Sequence, residues 1–280
     1  MTGLSAERRD VLSGLLAGGI FVVNGGQAAW ADDSESFASI AARANQISKD
    51  LDREATAAVF SGKNSDKSAY DFSLAVEGTQ VSFGDLIKQK YNDGDVKVKA
   101  ILVVNIKQDD PVARKTIPEL ISLATKYGRD ANGACVIVCC PTDQGYFEPD
   151  TSALIRLKLA SEYGYGINPA TIITDKVNLL GTGAVPFWRW LQGTCRTPAG
   201  LGRLQGNFEK FLIDGKTGQP IRRYPRKYSP LNIGDDIEAL IAGRQVPPAK
   251  ANFLESWRQA AAEADRDTYR FEKGLNYFDQ

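Results

Sequence analysis

Short apolar runs alternate with helix-forming segments through the middle of the chain, and this alternation constrains the fold more than any other feature. The run AILVVNI at Ala100–Ile106 and the run VIVCC at 136–140 are rich in β-branched residues and have the length of buried strands. A helix-forming segment follows each of them. Alternating strands and helices predict an α/β domain in which helices pack on a central sheet.

An Asp-Pro pair follows the first of these runs. A carboxylate at the N-cap and a proline at the first helical position favour a helix start, so Asp110 and Pro111 predict a helix at about 111–127. Such a cap stabilises a helix by roughly 1 kcal/mol. The alternative is that the Asp110 carboxylate has a residual functional role, in handling an anion or a proton.

Composition limits the classes of function. The chain has 280 residues, 43% of them apolar, which is enough for one sizeable core with short extensions. Its 34 basic and 34 acidic side chains balance, which gives no support to nucleic acid or acidic lipid as a partner. It has no histidine, and its four cysteines lack paired CxxC spacing, so we expect neither histidine-dependent catalysis nor a metal site. No cofactor is predicted.

Five segments, taken in their order along the chain, carry a resemblance to a known protein family. They are YDFSLAVEGTQVSFGDL at 70–86, NIKQDDPVARKTIPELISLATKYG at 105–128, VIVCCPTDQGYFEPD at 136–150, DKVNLLGTGAVPFWRWLQ at 175–192 and GNFEKFLIDGKTGQPIRRYPRKYSP at 206–230. Over residues 69–243 they resemble the glutathione peroxidase family. The short loop between Trp190 and Gly206 is similar to that of the phospholipid-hydroperoxide type, for which we expect no homotetramer.

The resemblance implies a thioredoxin-like α/β fold with a central mixed sheet flanked by helices. We expect strands at about 100–106, 134–140, 170–174 and 208–214, and helices at about 111–127, 151–162, 186–192 and 233–242. Helical extensions are predicted on both sides of this domain, at 32–68 and at 244–280.

Four active-site positions of the family can be placed by the resemblance. Asp110 stands where the peroxide-reducing cysteine or selenocysteine belongs, and Gly206 stands where a tryptophan helps to hold the thiolate. Gln144 and Asn207 match the active-site glutamine and asparagine. Peroxide cannot oxidise a carboxylate to a sulfenic acid, so the pattern predicts that the fold is kept and the peroxidase chemistry is lost.

The leading hypothesis is therefore a binding or accessory subunit, and the alternative is an enzyme of the oxidative-stress response. As an active peroxidase or thiol-disulfide oxidoreductase, the chain would use a displaced cysteine such as Cys139 or Cys140, with a thioredoxin-like reductant. A thiol-disulfide sensor without turnover is a third possibility. Alternation along the predicted strand places Cys135 and Cys139 on one face and Cys140 on the other. Thiols buried on either face of a sheet are ordinarily inert. The sequence leaves the disulfide pairing of these cysteines and Cys195 open.

The first 31 residues resemble a cleavable twin-arginine export signal. Arg8 and Arg9 precede an apolar run at 11–23, and small residues stand at Ala29 and Ala31. The run is short for a membrane span, which makes a retained anchor the less favoured alternative. We expect export to the thylakoid lumen or the bacterial periplasm, and a further helix at 36–60.

The C-terminal extension carries an apolar stripe on a predicted helix that begins near Asn252 and ends before Gly274. Its candidate docking residues are Phe253, Trp257, Ala261 and Phe271. The stripe is expected either to pack back on its own domain or to dock on a protein complex at a membrane surface.

Basic residues cluster near the family's active-site positions. They are Arg196, Arg203, Arg222, Arg223, Arg226 and Lys227. They are expected to form either a solvated face or a basic rim around the site.

Overall fold

The structure, a computed structural model of the chain, describes residues 66–91, 94–129, 134–142, 150–181 and 183–272. The export signal predicted at 1–31, the helix predicted at 36–60, Gln144 and Gly274 lie outside the described residues.

The described elements alternate as the sequence predicts. The strands are β1 (Ser73–Val76), β2 (Thr79–Ser82), β3 (Gln89–Tyr91), β4 (Gly94–Val96), β5 (Ala100–Ile106), β6 (Cys135–Pro141), β7 (Thr171–Ile173), β8 (Lys210–Asp214) and β9 (Pro220–Tyr224). The α-helices are α1 (Phe83–Leu86), α2 (Ala113–Leu123), α3 (Ser152–Tyr163), α4 (Pro186–Thr194), α5 (Gly234–Ile241) and α6 (Ala251–Glu272). Short 3-10 turns lie at Ala69–Asp71 and Pro230–Ile233, and a π-helical turn at Ala124–Arg129 extends α2.

The central sheet has the strand order β7-β6-β5-β8-β9. Strands β5, β6 and β7 are parallel, whereas β8 is antiparallel to β5 and β9 is antiparallel to β8. Every residue of β5 and β6 is buried, which explains why both strands are almost continuously apolar in sequence. This mixed sheet flanked by helices confirms the expected thioredoxin-like α/β fold.

Alternate residues of the central strands build two cores, one on each face of the sheet. Leu102, Cys135 and Cys139 lie in the first core, which α2, α3, α5 and α6 cover. Val103 and Cys140 lie in the second, which α1, α4 and the β1–β2 hairpin cover. The alternation of the cysteines predicted from the sequence is therefore confirmed.

The start of α2 differs from the prediction. The helix begins at Ala113, with Val112 rather than Asp110 as its N-cap. Residues 110–112 form a tighter turn, in which the Ala113 amide donates to the Asp110 carbonyl at 2.8 Å. The Asp110 side chain still accepts a hydrogen bond from the Val112 amide at 2.9 Å, so it satisfies one amide of this turn without capping the helix itself.

The first turns of α6 pack on the domain that precedes it. Phe253 and Trp257 are 7% and 6% exposed and belong to the first core. This is the packing expected if the stripe covers its own domain. None of the described helices is long and apolar enough to cross a membrane.

Candidate functional site

Asp110, which the sequence resemblance assigns to the nucleophile position, lies between β5 and α2, and its side chain is only 4% exposed. Its Oδ1 accepts a hydrogen bond from Arg226 Nη2 at 2.7 Å in addition to the one from the Val112 amide. A buried carboxylate needs such partners, because removing an unpaired charge from water costs several kcal/mol. Arg226 therefore neutralises the buried Asp110 carboxylate.

The Arg226 side chain also passes directly over Gly206. A Cβ atom placed on Gly206 would lie 3.2 Å from Arg226 Cδ, closer than an ordinary van der Waals contact. Any larger side chain at position 206 would require Arg226 to move. Arg226 thus contacts both positions, 110 and 206, at which the sequence resemblance predicts a departure from the family pattern.

The segment that follows Gly206 is fastened to β5 by Asn105. The Asn105 Nδ2 donates to the Gly206 carbonyl at 3.0 Å, and the Phe208 amide donates to the Asn105 carbonyl at 2.6 Å. Phe208 has a φ of +67°, in the left-handed region that residues other than glycine rarely adopt. The contacts with Asn105 therefore hold this segment against some backbone strain. Asn207 is 1% exposed, and its Oδ1 has no hydrogen-bond partner within the described ranges.

Lys210, which the sequence analysis did not single out, anchors the turn that carries Arg226. Its side chain is fully buried, and Nζ donates to the carbonyls of Arg226 at 2.7 Å, Tyr228 at 2.8 Å and Pro225 at 3.2 Å. Desolvation lowers the pKa of Lys210 to about 7, although Glu209 and Glu119 act in the opposite direction. The matching family segment contains this lysine, but a lysine in a strand gives no sign of its three acceptors.

Of the six basic residues that were expected to form a solvated face or a basic rim, four pair with carboxylates. Arg223 is fully buried and donates through Nε to Glu209 at 2.6 Å. The other pairs are Arg222 with Asp236, Arg226 with Asp110 and Lys227 with Glu263. Arg196 is exposed and Arg203 is half-buried.

The four cysteines are free thiols that lie in the two cores. Cys135 and Cys140 are 0% exposed, Cys139 is 1% exposed and Cys195 is 3% exposed. Burial raises the pKa of Cys135, Cys140 and Cys195 to about 12, and it also raises the pKa of Cys139. In this conformation none of the four has the accessible, ionised state that a thiol nucleophile requires.

The remaining candidate residues are only partly brought together. Asp110, Gly206 and Asn207 lie around Arg226 and Asn105, whereas Gln144 is outside the described residues. Of the docking candidates, Phe253 and Trp257 are occupied by contacts within the chain, Ala261 is half-buried and the Phe271 side chain is not described. Within the described part of the chain, no group of three or more cysteines and carboxylates could hold a metal ion.

The fold defines a thioredoxin-like protein, and an ion-paired carboxylate lies at the position that the sequence resemblance assigns to the nucleophile. The chain belongs to the glutathione peroxidase family. It is 30% identical to glutathione peroxidase 1 of Helianthus annuus over 177 residues, covering 60% of this chain and 98% of that protein. It is 28% identical to putative glutathione peroxidase 7, chloroplastic, of Arabidopsis thaliana over 186 residues, covering 66% of this chain and 72% of that protein.

Solved structures give a weaker likeness. The structure titled Trgpx in apo form is 22% identical, covers 65% of this chain and 99% of that chain, and has a TM-score of 0.47. T. cruzi GPX1 is 18% identical, covers 63% of this chain and 97% of that chain, and has a TM-score of 0.46. No family model matches the chain. The family membership rests on the sequence relatives.

Proposed function

We propose that this chain is a glutathione peroxidase family protein that has lost peroxidase chemistry and acts by binding. The observation that carries the proposal is the ion pair at the nucleophile position. Asp110 cannot form a sulfenic acid, and Arg226 both pairs with this carboxylate and fills the space over Gly206. A site that is filled and neutralised by its own side chains is better suited to stability than to turnover.

The buried thiols support the same proposal. The enzymatic alternative requires Cys139 or Cys140 to meet a hydroperoxide, yet these two side chains are 1% and 0% exposed. Their raised pKa values keep them protonated at neutral pH, and the thiol is a much weaker nucleophile than the thiolate. The core around the sheet would have to open before a hydroperoxide could reach either cysteine.

The partner is proposed to be a protein complex at a membrane surface, reached after export to the thylakoid lumen or the bacterial periplasm. The sequence of residues 1–31 motivates this proposal, and three relatives carry the word chloroplastic in their names. Because Phe253 and Trp257 belong to the core, docking would use other surfaces, such as the aromatic tail at 273–280. A chain that lacks only residues 273–280 should fold normally and fail to co-purify with membranes; equal retention would contradict docking through the tail.

Stopped-flow oxidation tests the loss of chemistry directly. The pre-reduced chain is mixed with hydrogen peroxide and, separately, with a lipid hydroperoxide, and oxidised thiols are counted by mass spectrometry over seconds. We expect oxidation no faster than that of free cysteine. A family relative with cysteine at the nucleophile position is the positive control. Fast oxidation of a single cysteine in this chain would contradict the proposal and identify a relocated nucleophile.

A further inference from the structure

The turn at 225–228 carries Arg226, and two sets of contacts hold it in place, one from Lys210 and one from α6. We propose that the C-terminal helix α6 is a latch: by packing on β9 and on this turn it keeps Arg226 across Asp110, and its release uncovers the carboxylate. This inference concerns the closure of the site and does not depend on what the site binds.

The first contact of the latch is an aromatic cluster at the two ends of the turn. Tyr224 and Tyr228 stack with their ring centres 5.6 Å apart and so bracket residues 225–227. Phe253 of α6 meets both rings edge-on, at 5.9 Å from Tyr224 and 5.8 Å from Tyr228. Aromatic pairs in this geometry contribute stabilisation in addition to that from the apolar area they bury.

Two further contacts continue along the same helix. Trp257 lies against the Arg223 guanidinium, whose central carbon is 5.6 Å from the indole ring. Glu263 pairs with Lys227 at 2.5 Å. Successive turns of α6 therefore touch the last residues of β9 and the residue directly after Arg226.

Lys210 of β8 also holds the turn, through the three carbonyls that it binds. With the backbone held by both Lys210 and α6, the Arg226 side chain extends over Gly206 to Asp110. The competing explanation is that α6 adds only buried area and that Lys210 alone sets the turn. The two explanations differ in what happens at Asp110 when α6 is loosened.

Hydrogen-deuterium exchange of the full chain separates them. In Trp257→Ala, exchange should rise about tenfold, equivalent to about 1.4 kcal/mol of local stability, both at residues 224–228 and at the Val112 amide that Asp110 binds. The matched control is Leu254→Ala, because Leu254 lies on the same helix but is 47% exposed. The buried amides of β5 report global opening and should stay unchanged relative to the wild type.

The latch would be overturned if exchange rises in α6 while the amides at 224–228 and at Val112 exchange as slowly as in the wild type. If Trp257→Ala also opens β5, Glu263→Lys replaces it, because this change repels Lys227 without removing a core side chain. Its control is Glu255→Lys on the exposed face of α6. Faster exchange at 224–228 and at Val112 in Glu263→Lys but not in Glu255→Lys supports the latch. Equal exchange rates in the two variants overturn it.

Discussion

At the scale of single residues, Arg226 explains how a buried aspartate is tolerated at position 110, which the sequence resemblance assigns to the family's thiol. The pair is mostly shielded from water, with the side chain of Asp110 4% exposed and that of Arg226 25% exposed. Removing one partner of a buried pair leaves the other charge uncompensated, which costs more than the pair contributes when both are present. Asp110 and Arg226 should therefore be energetically coupled.

A double-mutant cycle measures this coupling. From urea unfolding of Asp110→Asn, Arg226→Met and the double variant, we expect an interaction energy of about 1–3 kcal/mol. The control is a cycle on Asp85 and Lys88, an exposed pair whose coupling should stay below about 1 kcal/mol. Equal coupling in the two cycles would mean that the pair at position 110 is no better than a surface ion pair.

Restoring the family residues should require Arg226 to be removed as well. In Asp110→Cys with Gly206→Trp, the new side chain at 206 meets Arg226 Cδ, so the indole competes with Arg226 for the space over the thiol. Adding Arg226→Ala frees that space, and we expect the triple variant to react with hydrogen peroxide about tenfold faster or more, a gain of about 1.4 kcal/mol. Rapid-mixing oxidation of the thiol introduced at position 110 measures it. Equal rates for the double and triple variants would show that Arg226 does not obstruct the site.

The resemblance assigns positions 110, 206 and 207 to the family's active site because flanking residues match the family, and this assignment stays a prediction. It gave no sign that one arginine contacts both 110 and 206. The partner of Asp110 is 116 residues further along the chain, within a run of basic residues that all have similar sequence surroundings. Which of them reaches the site depends on the turn between β9 and α5, and tertiary contacts set that turn.

At the scale of elements, the turn after β9 depends on one buried lysine. Replacing Lys210 by methionine removes the donor shared by three carbonyls, and leaving buried carbonyls unsatisfied should lower the free energy of unfolding by roughly 2 kcal/mol. Urea unfolding at pH 6 is the measurement. Lys216→Met, at an exposed residue of the β8–β9 turn, is the control and should change stability by less than about 0.5 kcal/mol. Similar losses in both variants would contradict an anchoring role.

Element prediction succeeded where one physical signal dominated. Strands β5 and β6 are buried on both faces and are therefore apolar throughout, so their bounds were almost correct. Strand β9 was not predicted because its sequence, PIRRY, begins with proline and contains two arginines, whose burial depends on Asp236 and Glu209. The short hairpin β3–β4 was also missed, because three-residue strands carry little periodicity.

At the scale of the whole molecule, the four buried thiols make stability sensitive to alkaline pH. In the unfolded chain a thiol ionises near pH 8.5, whereas the folded chain keeps Cys135, Cys140 and Cys195 protonated up to about pH 12. The folded state then binds more protons than the unfolded state, so this part of the stability is present below pH 8.5 and decreases as the pH rises above it. Cys139 acts in the same direction.

Lys210 opposes this trend but does not cancel it. Its pKa of about 7 in the folded state lies below the value of an exposed lysine, so between these values the unfolded state binds one proton more and stability rises with pH. One group of this kind against four thiols leaves a net loss of roughly 3 kcal/mol between pH 8.5 and pH 9.5. Urea unfolding under reducing conditions at the two pH values measures the loss. Cys195→Ala should reduce it by about 1 kcal/mol, since one of the four titrating groups is gone. An unchanged pH dependence in that variant would mean that the thiols are not its cause.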